Sequence, residues 1–416
     1  MKLWCVIMLK ESEVREYLIK KLTDILSIPT VNPPGKDYDV CASYLASELR
    51  SLGLDVRVVR IPEEYLDKHY PYAPQHRGYP RDIVFARLGE GEPILHFNGH
   101  YDVVPPGTGW TKDPFKPVVE DSKIYGRGAT DMKGGIASIL GFLKVVAEEN
   151  LRFKGTLEVA FVPDEESGGD GSRYLVESGL TKPRYVIIGE PSTSKRVVIG
   201  HKGFIRGLVR VLGKQTHGSV PWYGENAFLK ASQLALKFME LYEPLLNSRA
   251  TSAPVRTPQE AHPSINLGGY AESTARKDNT VPGEFLFSFD RRVLPEENLD
   301  EVVNELKEYF AKAAANVRYE VSILSAVPPS LTPVESEIVN VASVCAEKIT
   351  GFKPRAELSP GRNDAVYYVN FTRSQAINFG PGVEWTAHAP DEYTDVEELV
   401  KFVNIYRCVA EKILMK

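Results

Sequence analysis

Apolar residues in the first 200 positions follow two different spacings. Repeats every three to four positions predict amphipathic helices at residues 11–28 and 39–52, and an apolar segment at 136–147 predicts a third. Short continuous apolar runs predict buried strands, and they occur at residues 83–87, 93–97, 156–162 and 185–188. Residues 65–81 are rich in Tyr and Pro without a period and predict a loop. Alternating strands and helices favour an α/β layered domain with a largely parallel core.

The pattern changes after about residue 200. Strand-like runs at 203–213, 265–267 and 285–289 are interleaved with helical segments at 227–241 and 299–315. This order predicts a small α+β sandwich. The α/β pattern of the first 200 residues returns in later segments, namely a helix at 335–348, a strand at 375–379 and a last helix at 395–415. We therefore predict one α/β domain formed by residues 1–200 and 327–416, with an inserted domain at 201–326.

Length and charge narrow the class of protein. A chain of 416 residues is longer than the chains that usually fold around a single hydrophobic core, which supports two domains. The net charge of −5 without a basic tract argues against a nucleic-acid partner. The apolar stretch at residues 3–9 is too short to span a bilayer and lacks a small-residue cleavage site. We expect a cytoplasmic protein with no membrane partner.

The four cysteines are scattered and show no CxxC spacing. This usage predicts buried thiols in a reducing compartment rather than disulfides or a zinc ribbon.

Metal-capable side chains recur where strand-like runs end. The side chains at these strand ends are His100, Glu166, Glu190 and His388. Asp131 adds a carboxylate at a glycine-rich corner that precedes a helix. One such residue alone is usually polar surface, but the set of two histidines and three carboxylates suits zinc or a similar divalent ion. A carboxylate shared by two ions is how a two-metal hydrolase holds and activates water.

Two local features refine this hypothesis. His100 and Asp102 lie two apart in an extended segment, so their side chains point to the same side and the carboxylate can orient the imidazole.

Gly126 and Gly128 suggest a dinucleotide-binding loop, but Asp131 stands where a third glycine is needed and the acidic surroundings repel phosphate. We reject the dinucleotide interpretation.

Several motifs together resemble the M20 family of dinuclear metallohydrolases. They are GHYDVVPPGTGW, DPFKP, YGRGATDMKGG, DEESGG, GEPS and WTAHAPDEY, in the family's order over nearly the whole chain. The family includes acetylornithine deacetylase, succinyl-diaminopimelate desuccinylase, aminoacylase-1 and glutamate carboxypeptidase. The resemblance implies a zinc-peptidase-like, three-layer α/β catalytic domain with an inserted α+β lid and dimerisation domain. It also implies two Zn²⁺ ions, for which Co²⁺ is a possible substitute.

The resemblance also implies roles for single residues. It places His100, Asp131 and Glu190 on one zinc and Asp131, Glu166 and His388 on the other, with Asp131 bridging. The peptide from Asp131 to Met132 is expected to be cis. Asp102 is expected to orient His100, and Glu165 to be the general base that moves a proton from water to the leaving amine.

In the inserted domain, the resemblance assigns His217 to the oxyanion and Asn279 and Arg292 to substrate binding. Arg292 is expected to clamp a carboxylate, whereas the neighbouring Arg291 is interpreted as a surface charge. Gly361 matches the family's glycine-rich substrate loop, but Arg362 and Asn363 depart from its usual form. Arg362 either favours an acidic group on the substrate or points to solvent.

These expectations define an amide hydrolase whose substrate is an N-acyl amino acid. A dipeptidase or carboxypeptidase remains the alternative, because each of these substrates carries a free carboxylate. A non-catalytic scaffold is disfavoured because all five ligands and the base are present. An exposed strand of the inserted domain is expected to pair with its twin in a homodimer.

Overall fold

The computed structural model of the chain describes residues 11–415. The apolar stretch at residues 3–9 and Cys5 therefore lie outside the described residues. Within residues 11–415, no helix combines the length and the apolar content needed to cross a membrane.

The described residues form helices α1 (Glu11–Leu26), α2 (Tyr38–Ser51), α3 (Glu63–His69), α4 (Lys133–Glu148), α5 (Asp170–Glu177), α6 (Ala227–Ser248), α7 (Leu299–Ala314), α8 (Glu337–Thr350), α9 (Ala365–Thr372) and α10 (Val396–Leu414). The strands are β1 (Asp55–Arg60), β2 (Asp82–Leu88), β3 (Ile94–His100), β4 (Val118–Glu120), β5 (Lys123–Tyr125), β6 (Thr156–Val162), β7 (Tyr185–Pro191), β8 (Arg196–His201), β9 (Gly203–Leu212), β10 (Thr216–His217), β11 (Ser264–Ser273), β12 (Thr280–Val281), β13 (Glu284–Val293), β14 (Arg318–Val327), β15 (Ser330–Leu331), β16 (Arg355–Ser359), β17 (Gln375–Gly380) and β18 (Tyr393–Asp395).

The chain divides into two compact units. The first comprises Met1–Gly200, Thr332–Glu357 and Asn363–Lys416, and the second His201–Leu331 and Leu358–Arg362. Residues 327–331 and 358–362 group with the second unit, although the sequence pattern placed them in the first domain.

The first unit is built on one large sheet, in the order β1-β2-β6-β3-β7-β17-β8. Its centre is parallel, since β3 pairs in parallel with both β6 and β7, and β7 with β17. Two sets of helices pack on it: α4 and α10 contact β3, whereas α2 contacts β2 and α9 contacts β7. The predicted α/β fold class is confirmed.

Close backbone packing draws α4 onto β7. A Cβ atom added to Gly135, in the first turn of α4, would lie 2.1 Å from the carbonyl oxygen of Gly189. No side chain fits in that space, so glycine is required for this approach. Gly189 precedes Glu190, and Asp131 precedes α4, so this contact brings the two carboxylate-bearing segments together.

The second unit contains an antiparallel sheet in the order β11-β13-β9-β14. Helices α6 and α7 pack on it, with Phe238 and Phe310 stacked at 4.0 Å between ring centroids. Asn226 and Asn298 cap the two helices by accepting hydrogen bonds from backbone N–H groups of their first turns.

Arg291 corrects one prediction. Its charge predicted a position on the surface, but its side chain is fully buried. Its guanidinium donates hydrogen bonds to Glu297 at 2.6 Å and to the hydroxyl of Tyr242 at 3.0 Å. Alternation along β13 turns it towards the core, where the carboxylate of Glu297 compensates the cost of burying the charge.

The predicted loop at residues 65–81 was wrong for its first part. Helix α3 covers Glu63–His69. It has only seven residues, which is too short to display a helical period, and Pro71 and Pro74 follow it within a few positions.

The prediction of free thiols was wrong for two cysteines. Cys345 of α8 and Cys408 of α10 form a disulfide, with their Cα atoms 5.7 Å apart. Among the described residues, Cys41 is a buried free thiol as predicted, and burial raises its pKa to about 11. The pairing was missed because 63 positions separate the two cysteines, so local spacing carries no signal.

Removing this disulfide is expected to destabilise the protein. A loop of this length predicts a loss of about 4 kcal/mol in the free energy of unfolding for the Cys345→Ser/Cys408→Ser variant, because the unfolded chain regains freedom. Denaturant unfolding with and without dithiothreitol measures it. Dithiothreitol should weaken the wild type and leave the double variant unchanged; equal stability of both proteins without reductant would contradict the prediction.

Candidate metal centre

The candidate centre lies where three parallel strands end. His100 is the last residue of β3 and pairs with Val162, the last residue of β6. The turn that carries Glu165 and Glu166 follows β6, and Glu190 lies near the end of β7. The carboxyl ends of parallel strands share one edge of a sheet, which is where open α/β sheets bind ligands.

Asp131 is central to this cluster. One carboxylate oxygen, Oδ1, lies 3.2 Å from Nε2 of His100, and the other, Oδ2, lies 3.3 Å from Nε2 of His388. The Asp131–Met132 peptide bond is cis, as the resemblance implied. The two oxygens of one carboxylate thus face two different imidazoles.

The remaining two carboxylates divide between these histidines. Oε1 of Glu190 lies 3.5 Å from Nε2 of His100, and Oε1 of Glu166 lies 3.1 Å from Nε2 of His388. Atoms of His100, Asp131 and Glu166 lie within 4.8 Å of one another, as do atoms of His100, Glu165 and Glu190. All five predicted ligand residues and the predicted base therefore converge at one place.

The electrostatics of the cluster fit a site for cations. Burial and the neighbouring Asp131 raise the pKa of Glu190 to about 7. Hydrogen bonds to Asp131 and Glu166 raise the pKa of His388 to about 11. The protonated imidazole of His388 therefore offsets part of the crowded negative charge, and divalent ions bound to the same atoms would take over that role and release the proton. Nitrogen and carboxylate oxygen donors suit Zn²⁺.

Asp102 is fully buried behind the cluster. Its carboxylate accepts backbone hydrogen bonds from Glu165 at 3.2 Å and Glu166 at 3.1 Å. Nδ1 of His100 lies 3.0 Å from the main-chain carbonyl of Asp102 and 3.4 Å from its carboxylate. Asp102 therefore contacts both the imidazole that it was predicted to orient and the turn that carries the two glutamates.

Further buried polar residues, which the sequence pattern did not predict, surround Asp102. The side-chain amide of Asn32 donates to Asp102 at 2.9 Å and to Ser167 at 2.7 Å. Asp164 pairs with the buried Arg81 at 3.1 Å, and burial raises the pKa of Asp164 to about 7. Asn32 and Arg81 come from segments distant from the turn of Asp164 and Ser167, so no spacing in the sequence links them to it.

The predicted substrate-binding residues belong to the second unit. His217 is exposed and pairs with Thr280 through β10 and β12, and the next residue, Gly218, donates its N–H to the carbonyl of Asn279 at 2.7 Å. Arg292 makes an ion pair with Asp290 at 2.8 Å. The N–H of Gly361 donates to Ser359 at 3.1 Å. Their roles towards a substrate stay predictions.

The fold and the cluster define the class of the protein, a metal-dependent hydrolase. Residues 96–412 match the sequence profile described as Peptidase family M20/M25/M40, and the chain belongs to this family. Members of the family hydrolyse amide and peptide bonds.

Relatives and solved structures agree with this assignment. The chain is 30% identical to a succinyl-diaminopimelate desuccinylase of Nitratiruptor, over 83% of this chain and 91% of that protein. It is also 30% identical to an uncharacterised metallohydrolase of Methanocaldococcus jannaschii, over 94% and 98%. The M20 metallo-carboxypeptidase Sso-CP2 of Sulfolobus solfataricus has a similar fold, with a TM-score of 0.75, 20% identity and coverage of 95% and 98%.

Proposed function

We propose that the chain removes the acyl group from an N-acyl amino acid, using two Zn²⁺ ions for which Co²⁺ can substitute. One observation carries the proposal: the two carboxylate oxygens of Asp131 face His100 and His388 separately. His100, Asp131 and Glu190 would hold one ion, and Asp131, Glu166 and His388 the other. The ions would supply positive charge that polarises the substrate carbonyl and makes water nucleophilic at neutral pH.

Glu165 serves as the general base. Its backbone N–H is bound by Asp102, which fixes the start of its side chain beside His100. Its carboxylate takes a proton from the attacking water as the new C–O bond forms. The same proton passes to the leaving nitrogen when the C–N bond breaks, giving a carboxylic acid and a free amine.

The second unit contributes substrate contacts in this proposal. Arg292 binds the substrate carboxylate, His217 stabilises the oxyanion, and Asn279 and Gly361 complete the binding loop. Relatives named succinyl-diaminopimelate desuccinylase favour a deacylase. The alternative is a dipeptidase or carboxypeptidase activity, because solved structures of similar fold are named as a dipeptidase and a carboxypeptidase. We also propose a cytoplasmic enzyme that forms a homodimer through its second unit.

A substrate panel tests the proposal. Metal-free protein is supplied with Zn²⁺ or Co²⁺ and assayed on N-succinyl-diaminopimelate, N-acetylornithine and simple dipeptides, with metal content measured by elemental analysis. We expect two ions per chain and the fastest turnover on an N-acyl amino acid. Faster hydrolysis of dipeptides would favour the alternative, whereas no metal and no turnover would overturn the proposal.

The carboxylate clamp gives a separate prediction. Arg292→Met should raise KM by about 10–100-fold, because a charged hydrogen bond contributes about 1.5–3 kcal/mol. Arg206→Met is the matched control, since Arg206 also pairs with Asp290, at 2.9 Å. Steady-state kinetics give KM for both variants and the wild type. If Arg292→Met and Arg206→Met had the same KM, Arg292 would only neutralise Asp290.

A further inference from the structure

Glu392 is a fully buried acid four positions after His388. One of its carboxylate oxygens accepts the backbone N–H groups of Thr130 at 2.9 Å and Asp131 at 3.0 Å. The other accepts the backbone N–H of Gly128 at 3.0 Å and a guanidinium N–H of Arg127 at 2.5 Å. One side chain thus holds the whole turn that presents Asp131.

Arg127 connects this turn to the segment of His388. Its side chain is almost fully buried, and its second terminal nitrogen donates to the main-chain carbonyls of His388 and Pro106, each at 3.2 Å. Its guanidinium also lies 5.1 Å from the ring centroid of Trp110. Arg127 and His388 are 261 positions apart in the chain, so the guanidinium joins two distant segments.

The two proposed ion sites depend on this connection to different degrees. His100 is 1% exposed and ends a central strand, so the sheet itself holds it. The side chain of His388 is 51% exposed and its residue has a φ of 62° in a loop. A ligand on such a loop needs support from neighbouring groups to keep its geometry.

We infer that Arg127 and Glu392 are positioning residues that set the distance between Asp131 and His388, and so the affinity for the ion between them. This inference rests on the proposed function, because it assumes ions at Asp131. The ion held by His100 and Glu190 would depend less on Arg127 and Glu392, since strands β3 and β7 carry its two other ligands.

The test removes both charges together, so that no buried charge is left unpaired. Metal-free Arg127→Met/Glu392→Gln protein is titrated with Zn²⁺ by calorimetry, beside the wild type. We expect the second binding step to weaken by about 10–100-fold, the usual effect of losing a group that orients a metal ligand. The first step shares Asp131 but keeps His100 and Glu190, so it should weaken less. Two steps identical to the wild type would overturn the inference.

A matched control separates this effect from general destabilisation. Arg87→Met/Glu158→Gln removes another ion pair of the same unit, whose buried Glu158 contacts Arg87, His96 and Thr181. It should lower the melting temperature and keep both binding steps. If it loses the second step as well, the metal loss follows from instability and the inference fails.

A single variant covers the case in which the double variant does not fold. Arg127→Lys keeps the charge beside Glu392 but lacks the planar fork that also reaches His388, so the second step should weaken alone. Normal binding by Arg127→Lys would overturn the inference. If the wild-type protein takes up fewer than two ions, the proposed function itself is contradicted. The titration of the wild type therefore separates a failure of the proposed function from a failure of this inference.

Discussion

Glu165→Gln is expected to lower kcat by about 10²–10⁴-fold while the protein keeps its full complement of metal. General acid–base catalysis contributes an effect of this size, and glutamine has no basic oxygen to take the proton. The substitution preserves the shape of the side chain and the backbone hydrogen bond to Asp102. Steady-state kinetics together with elemental analysis check both parts of the prediction.

The neighbouring residue supplies the control for Glu165. Glu166→Gln should lose the ion shared with His388, because Oε1 of Glu166 lies 3.1 Å from Nε2 of His388. Adjacent glutamates are thus expected to give opposite results, one losing turnover with metal retained and the other losing metal. If Glu165→Gln loses as much metal as Glu166→Gln, Glu165 is a ligand and not the base.

The convergence of the ligand residues could be predicted because strand ends obey simple topology. His100, Glu166 and Glu190 follow apolar runs that form neighbouring parallel strands, so their meeting at one edge follows from the α/β pattern. His388 was also predicted to end a strand, but it lies in a loop after β17 (Gln375–Gly380), so strand topology does not explain its place in the cluster.

The supporting groups could not be predicted. Asn32 reaches Asp102, and Glu392 reaches Asp131, by hydrogen bonds between segments far apart in the chain. A sequence shows such residues only as polar positions, and burial is what makes them structurally important. The prediction for Arg291 was wrong for the same reason. Its charge suggested a surface position, whereas Glu297 and Tyr242 accept hydrogen bonds from its guanidinium inside the second unit.

These supports suggest how the centre combines precision with access. Buried carboxylates on both sides, Asp102 and Glu392, bind backbone N–H groups of the two turns that carry Glu166 and Asp131. Each turn is therefore held by its main chain, which leaves its side chain directed into the cluster. The half-exposed His388 lies on the side of the cluster that solvent can reach.

Asp131→Asn is expected to remove both ions and lower activity by at least about 10⁴-fold. A bridging carboxylate contributes to both sites, and loss of about 5 kcal/mol of transition-state stabilisation by the ions corresponds to that factor. Glu190→Gln is the matched control, because Glu190 contacts His100 and should contribute to one site. Calorimetric titration with Zn²⁺ compares the two variants. If Asp131→Asn retained one binding step of wild-type affinity, as Glu190→Gln is expected to, Asp131 would serve a single ion and would not bridge.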